Sequence, residues 1–361
     1  YGFKDHRWKY SGTLTYSFNK RDYVVWEFPK HFISATYGYD VMSPMDKFLF
    51  TDKDNVFLSW KTTTVDQMSY MRDATINYEL ETHTGFGVKA MLRHRNDEPT
   101  GNLKYWPNND SPDKMPLPNE KPIHDITTAE ASVTLRYAPG ESFVNSKQRR
   151  IPVSLDAPIF TLTHTSGFKG VLGGEYNFNR TEASIWKRVW LPSSWGKVDI
   201  SLKGGAEWNT VPFPLLILPE ANLSYITQRE TFSLINNMEF LNDRFASVSL
   251  SYDMNGKLFN RIPLLKKLKW REMFRFRALW GTLTDKNNPF KSDNPELFLF
   301  PMRDGKYTSH VMDPKIPYME ASVGIYNIFK LLHVEYVHRL TYRDNPDINK
   351  WGIRFMVVMV F

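Results

Sequence analysis

The chain has 361 residues, a formal net charge of +7, a mean hydropathy of −0.45 and no cysteine. The lack of cysteine excludes disulfide frameworks, thiol catalysis and Cys-ligated zinc. No run of apolar residues is long enough for a helical membrane span. The basic residues are dispersed and no binding motif accompanies them, so nucleic acid is not an expected partner.

Apolar and polar residues alternate along much of the chain, which predicts β-strands. In residues 197–208, Ile200 and Leu202 fall on an apolar row, whereas Asp199 and Ser201 fall on a polar row. Similar alternation occurs in residues 10–18, 129–137, 319–325, 332–343 and 351–361. Helix signals are almost absent, so we expect an all-β protein.

A soluble sandwich and a transmembrane barrel both produce such alternation, because a polar row suits either water or a lumen. The last strand favours the barrel. Its apolar row ends on an aromatic residue and comprises Phe355, Val357, Met359 and Phe361. This ending is typical of the terminal strand of bacterial outer-membrane barrels, which the assembly machinery reads. We predict a transmembrane antiparallel β-barrel of about 16 strands (roughly 14 to 18), formed by residues 1–361 as one domain.

Successive connections of an antiparallel barrel lie on alternate sides of the membrane. Counting back from Phe361, which is expected at the periplasmic side, assigns each connection to one side. The extracellular connections are 285–315 and 343–350, and the periplasmic ones are 255–270 and 327–330. The same count puts the long polar stretch 96–125 in the periplasm. Because the chain begins at Tyr1 without Met or a leader, we expect a periplasmic N-terminal region to be absent from it.

Several stretches are long enough to compare with known families. They are "RIPLLKKLKWREMFRFRALWGTLTDKNNP" (261–289), "PYMEASVGIYNIFKLLHVEYVHRLTYRDNP" (317–346), "LRYAPGESF" (135–143), "FTLTHTSGFKGVLGGEYN" (160–177) and the ending "WGIRF". Together they resemble the barrel of a large Bacteroidota outer-membrane family of unknown function. The resemblance implies a barrel distantly similar to the BamA and two-partner-secretion transporter superfamily. It also implies a preceding carboxypeptidase-regulatory-like domain, which most members of the family carry.

One departure from the BamA-like superfamily limits what the resemblance implies. In those barrels a long extracellular loop with an arginine-glycine-aromatic motif folds into the lumen. The corresponding connection is expected here at "LNDR" (241–244), which has neither the length nor the motif. Protein insertion or secretion by the familiar mechanism is therefore not expected.

No group of residues predicts catalysis. A lone histidine in a barrel wall, such as His164 or His333, is more often a hydrogen-bonding residue than a general base. No nucleophile elbow, His-Glu-x-x-His helix or phosphate loop is present. Asp285 and Asp304 lack the spacing of a calcium-binding EF-hand. We expect no enzyme activity, no metal and no cofactor.

Arginines on the polar rows of the last strands form the main candidate site. They are Arg271, Arg275, Arg277, Arg339, Arg343 and Arg354, with Glu320 and Glu335 as nearby acids. Charges in a low-dielectric wall must meet carboxylates, water or an incoming anionic segment. They could form a cross-strand ladder of salt bridges, an anion-attracting pore, or a docking wall for a plug.

A second candidate is the stretch 255–270, which mixes apolar and basic residues. Its candidate contact residues are Leu258, Phe259, Leu265, Lys266, Lys267 and Lys269. Such a segment can lie in the membrane interface, or it can dock onto a partner or an N-terminal domain. The alternative is a long strand extension with an aromatic and basic rim.

Two functional classes remain for a protein of the bacterial outer membrane. The first is a scaffold or accessory subunit of an envelope assembly, export or transport complex, with membrane lipid, lipopolysaccharide, the barrel-assembly machinery and other envelope proteins as partners. The second is a passive channel for small anionic solutes. A hydrolase at the rim of the barrel is a third, more distant reading.

Overall fold

The structure is a computed structural model that describes residues 1–2, 5–20, 27–45, 60–146, 150–228 and 230–357. Most of the regular structure in these ranges is β-strand. In chain order the strands are β1 (Tyr10–Ser17), β2 (His31–Met42), β3 (Gln67–Glu81), β4 (Phe86–Gly101), β5 (Ile126–Tyr137), β6 (Phe143–Asn145), β7 (Arg150–Pro152), β8 (Ile159–Gly167), β9 (Phe178–Trp190), β10 (Lys197–Glu207), β11 (Arg244–Asp253), β12 (Arg271–Thr282), β13 (Met302–Arg303), β14 (Lys306–Tyr307), β15 (Tyr318–Ile328), β16 (Leu332–Arg339) and β17 (Trp351–Val357).

One antiparallel sheet holds 13 of the described strands, in the order β1-β2-β3-β4-β5-β8-β9-β10-β11-β12-β15-β16-β17. Two small ribbons, β6-β7 and β13-β14, lie outside it. Within the described ranges the helices are α1 (Pro263–Leu268) and the single 3₁₀ turns Phe213–Leu215, Phe259–Arg261 and Asp285–Asn287. None of the helices in the described ranges has the length and apolar composition needed to cross a bilayer. The all-β prediction is confirmed.

The two faces of the sheet separate apolar from polar side chains, because successive residues of a strand point to opposite sides. On β10, Leu202 is 43% exposed and lies beside Val248 of β11, whereas Ser201 is only 5% exposed. Phe274 of β12 and Val323 of β15, which lie beside each other farther along the strands, are exposed on the same face. The outer face is therefore the apolar one.

Residues 208–228 and 230–243, from the connection between β10 and β11, lie against the polar face, and we call them the lumen segment. Ser43, just beyond β2, donates a hydrogen bond to Asn237 of this segment, and Ile226 pairs through its backbone with Phe355 of β17. In a flat sheet β2 and β17 would be separated by roughly 50 Å. Because one segment reaches both strands, the sheet curls around it.

The capped end of the curled sheet carries the loops 102–125 and 283–317. The two loops pair with each other, since the N–H of Asn108 donates to the carbonyl of Leu297 at 2.9 Å. Together with the lumen segment they enclose an apolar core that includes Tyr105, Phe213 and Phe298. Hydrophobic burial in this protein is thus concentrated inside the sheet, beneath the two loops.

The opposite end, which we call the open end, carries the connections 191–196, 254–270 and 329–331. A cavity of about 620 Å³ lies here between the wall and the lumen segment. Its lining includes Arg188, Lys197, Asp253 and Tyr326. The lumen is therefore filled toward the capped end and hollow toward the open end.

Two expectations about the connections are wrong. Residues 102–125 of the polar stretch 96–125 contact the 283–317 loop, so they share its end of the sheet instead of lying opposite to it. The connection before β11 is not the short turn 241–244 but the whole lumen segment. The two errors are linked, because a connection at 241–244 requires a strand before it, and one strand too many reverses the assigned side of everything before it.

Candidate docking wall in the lumen

Neighbouring strands bring opposite charges together on the polar face. The register places Arg277 of β12 beside Glu320 of β15, and Glu320 beside Arg339 of β16. Arg354 of β17 lies beside Glu335 of β16. All five side chains are buried, so each must be paired or hydrogen-bonded to avoid a large desolvation cost. We call Arg277, Glu320, Arg339 and Arg354 the charged wall.

Glu320 is 1% exposed and holds the backbone of the lumen segment. Its carboxylate accepts hydrogen bonds from the N–H groups of Ser233 at 2.9 Å and Leu234 at 3.1 Å. Arg277 donates to the same carboxylate at 2.9 Å, and the hydroxyl of Tyr318 donates at 3.0 Å. A carboxylate offers about four acceptor sites. The acceptor capacity of Glu320 is therefore filled.

Two arginines hold the carbonyl groups of the same stretch. Arg339 donates to the carbonyl of Leu234 at 3.3 Å and to the carboxylate of Glu239, also in the lumen segment, at 3.0 Å. Arg354 donates to the carbonyl of Ser233. The N–H and C=O groups of Ser233 and Leu234 are thus bound by side chains of opposite charge. This arrangement fixes the lumen segment against β15, β16 and β17.

The pair of Arg275 and Glu335 makes different contacts, because both partners belong to strands of the sheet and neither contacts the lumen segment through this pair. Arg275 donates to the carboxylate of Glu335, which also accepts from the hydroxyl of Ser322. His333 lies 3.4 Å from the same carboxylate. Arg275 and His333 both line the open-end cavity. This cluster joins side chains of β12, β15 and β16, whereas the charged wall contacts the lumen segment.

Besides Arg275, two more of the arginines singled out from the sequence do not join the charged wall. Arg343 lies exposed in the turn after β16, so assigning it to the polar row of a strand is wrong. Arg271 begins β12 at the open end and donates to the backbone carbonyl of Asn255 at 3.1 Å. The charged wall therefore contains fewer arginines than the sequence pattern predicts.

Sequence reasoning missed the residues of the lumen segment that contact the charged wall. Ser233, Leu234 and Glu239 carry the contacts to the wall, and the stretch around them shows no period of two. One signal was available, because Pro212, Pro214 and Pro219 fall close together. Proline is confined to edges and bulges of sheets, so this density argues against strands.

The terminal strand carries the residues proposed as an assembly signal. Val357 is exposed on the outer face, and Phe355 stacks on Tyr225 of the lumen segment with 6.2 Å between ring centroids. The N–H of Phe355 donates to the carbonyl of Tyr225 at 2.9 Å. The lumen segment thus also pairs with the edge of β17. Met359 and Phe361 lie outside the described residues.

The second sequence candidate, 255–270, folds as a 3₁₀ turn (Phe259–Arg261) followed by α1, so its alternative reading as a strand extension is wrong. It lies at the open end, between β11 and β12. Leu258 is exposed, and Leu265 is half-buried on α1. Lys266 and Lys267 are exposed in its last turn, and Lys269 follows as the left-handed C-cap.

The chain was compared with curated proteins and with solved structures. No curated protein matches the chain. Among solved structures, BamA from Haemophilus ducreyi lacking POTRA domains 1–3 is similar over 96% of this chain, with a TM-score of 0.56 and 11% identity. The chain spans 62% of that BamA structure. OccK11 (OpdR) from Pseudomonas aeruginosa aligns over 91% of this chain and 79% of its own, with 8% identity and a TM-score of 0.31.

The similarity to BamA shows that the chain has an outer-membrane type of β-barrel fold. In such a fold the apolar face of the sheet points outward. The charged wall and the lumen segment lie inside. A family profile described as the C-terminal domain of a family of unknown function, DUF5686, matches residues 1–290. The chain therefore belongs to the DUF5686 C-terminal domain family.

Proposed function

We propose that this protein is an integral barrel of the bacterial outer membrane that serves as a scaffold or accessory subunit of an envelope assembly, export or transport complex. In this proposal the capped end is extracellular and the open end is periplasmic. The fold shared with BamA and the apolar outer face support the membrane location. The role is structural and not enzymatic, and the buried carboxylate of Glu320 in the charged wall serves to hold the lumen segment.

The docking of the lumen segment on the charged wall carries the proposal. A passive channel needs a continuous aqueous path. Here Glu320, Arg339 and Arg354 instead form hydrogen bonds with the protein's own backbone. Charges that are satisfied internally attract a permeating anion weakly. A barrel filled in this way presents fixed surfaces and suits a partner-binding role.

The remaining parts of the proposal concern origin and partners. We assign the protein to the Bacteroidota, in a longer product whose N-terminal part includes a carboxypeptidase-regulatory-like domain. Its partners are membrane lipid, lipopolysaccharide, the barrel-assembly machinery during biogenesis and other envelope proteins. The long similar stretches at 261–289 and 317–346 support this assignment.

The alternative function is a passive channel for small anions, which the open-end cavity and its Arg188 and Lys197 favour. Conductance of the purified barrel in planar bilayers separates the two functions. We expect a closed baseline for the wild type, and open steps after Arg339→Met releases the segment. Stable anion-selective steps from the wild type would instead establish the channel.

Co-purification tests the scaffold role directly. The native protein should be extracted in mild detergent from its own membranes, beside a variant with an intact charged wall but altered open-end turns. Stoichiometric envelope proteins with the wild type would support the proposal. A wild type that is both closed in bilayers and monomeric on extraction would contradict it.

A further inference from the structure

The connection 254–270 lies on the outer face of the sheet. Glu272 stands on the same row of β12 as Phe274 and Trp280, which are exposed on that face. Glu272 itself is only 2% exposed, because the connection covers it and the N–H of Leu258 donates to its carboxylate at 2.7 Å. The segment therefore folds outward over the strand, away from the lumen and its cavity.

Several apolar side chains of this connection are left exposed by the described part of the chain. Leu264 of α1 is 66% exposed, and Leu258, Ile262 and Leu268 are also exposed. Moving such a side chain from water into an apolar environment is favourable. Four of them on a six-residue helix and its approach are costly in water, so this surface requires an apolar environment.

The charge of the connection is uniformly positive. Residues 254–270 contain no Asp or Glu, and their basic residues are Lys257, Arg261, Lys266, Lys267 and Lys269. Lysines beside exposed apolar residues let the stems lie along a membrane surface while the ammonium groups reach phosphate. The surface thus combines an apolar layer with groups that attract anions.

Neighbouring turns extend the same surface. Lys257 donates to the carbonyl of Ser193 at 2.8 Å and lies over the exposed ring of Trp195, 5.1 Å from its centroid. Asn327 donates to the carbonyl of Lys269 at 2.7 Å, and nearby Phe329 is 77% exposed. Three turns are therefore tied together into one aromatic and basic rim.

We propose that this open-end rim binds the phosphate headgroups of anionic phospholipids, with α1 lying in the interface of the adjacent leaflet. The proposal rests on the barrel function proposed above. The rim is continuous with the exposed apolar row through Phe274, so the membrane that covers this row reaches the rim. Insertion of the apolar side chains and binding of phosphate by the lysines then explain why the rim is both apolar and basic.

Site-specific photocrosslinking in cells tests the proposal, with the probe at Leu264 and a reference probe at Leu202 on the outer face. We expect phospholipid adducts at both positions. Lipid adducts at Leu202 together with protein adducts, or none, at Leu264 would overturn the rim proposal and leave the barrel intact. Failure to capture lipid at Leu202 would instead contradict the barrel function itself.

A second test measures headgroup selectivity in the detergent-solubilised full chain by native mass spectrometry. Phosphatidylglycerol and phosphatidylcholine are titrated separately into the wild type and into a Lys266→Gln, Lys267→Gln, Lys269→Gln variant. A basic residue near an anionic surface contributes about 1 kcal/mol, or about fivefold, so the variant should lose on the order of 100-fold in its preference for phosphatidylglycerol.

The matched control changes the same number of exposed lysines at the capped end, namely Lys121, Lys306 and Lys315 to Gln. This control should keep the wild-type preference for phosphatidylglycerol. Heat-modifiable gel mobility verifies that all three proteins are folded. Equal selectivity of the two triple variants would overturn the proposal.

Discussion

Replacing Glu320 by Gln keeps the size of the side chain and removes the charge that holds the lumen segment. The carboxylate accepts from Ser233, Leu234, Tyr318 and Arg277. A hydrogen bond to a charged group contributes about 1.5 to 3 kcal/mol, against about 0.5 to 1.5 for a neutral one. Arg277 also loses its buried counter-charge, and breaking such a pair costs about 3 to 5 kcal/mol. We expect E320Q to lower the free energy of unfolding by about 3 to 5 kcal/mol.

Urea unfolding of the reconstituted barrel, followed by gel mobility, measures this change. The control is Glu296→Gln, whose carboxylate pairs with Lys169 at 3.1 Å while both groups are more than half exposed. An exposed pair contributes about 0 to 1 kcal/mol, so the control should remain near the wild type.

Labelling reports the lumen segment itself. The chain has no cysteine, so Ser233→Cys introduces a single thiol at a buried position. Maleimide should modify this thiol faster in the E320Q background than in the Glu296→Gln background. If the two backgrounds unfold and label alike, the charged wall does not hold the segment and the reasoning is refuted.

Two further predictions concern the outer face and the capped end. Leu202→Arg should cost about 2 to 4 kcal/mol and lower the folded fraction on gels, whereas Leu117→Arg in the capped-end loop should be nearly neutral; equal effects would mean that the outer face does not meet lipid. Burial raises the pKa of Asp66, but hydrogen bonds from Arg303 and Asn102 outweigh it and hold the pKa below the ordinary 3.8. Ionised Asp66 therefore adds stability at pH values above the pKa that this residue has in the unfolded chain. That stability is lost as the pH falls through the lower pKa of the folded state. Proteolysis of the 283–317 loop should therefore rise on acidification. In Asp66→Asn the loop should already be sensitive at neutral pH, and a wild-type pH profile in this variant would refute the assignment.

The alternation of apolar and polar residues was sufficient to predict the sheet and the orientation of its faces. Leu202 and Ser201 fall on the expected sides because a period of two follows directly from strand geometry. The arginines of β12, β16 and β17 could be placed on the inner face for the same reason. These are local properties, which neighbouring residues determine.

The partners of those arginines could not be predicted in the same way. Glu239 meets Arg339 across 100 residues of sequence, and no periodic pattern marks the lumen segment. A segment that fills a lumen is buried on all sides, so its composition mixes apolar, amide and hydroxyl side chains without a repeat. The strand count failed at this segment, and the side assigned to residues 96–125 failed with it.

The lumen segment also constrains the order in which the protein can fold. Ser43 and Asn237 are separated by 194 residues, and Thr62 and Leu223 by 161, while Arg354 and Phe355 of β17 supply the contacts on the other side. Contacts so distant in sequence are slow to form, because the chain must lose the entropy of closing a long loop before the contacts stabilise it. A nascent chain that stops before β17 lacks one side of the wall. We therefore expect filling of the lumen to be coupled to the addition of β17, as a late step of folding.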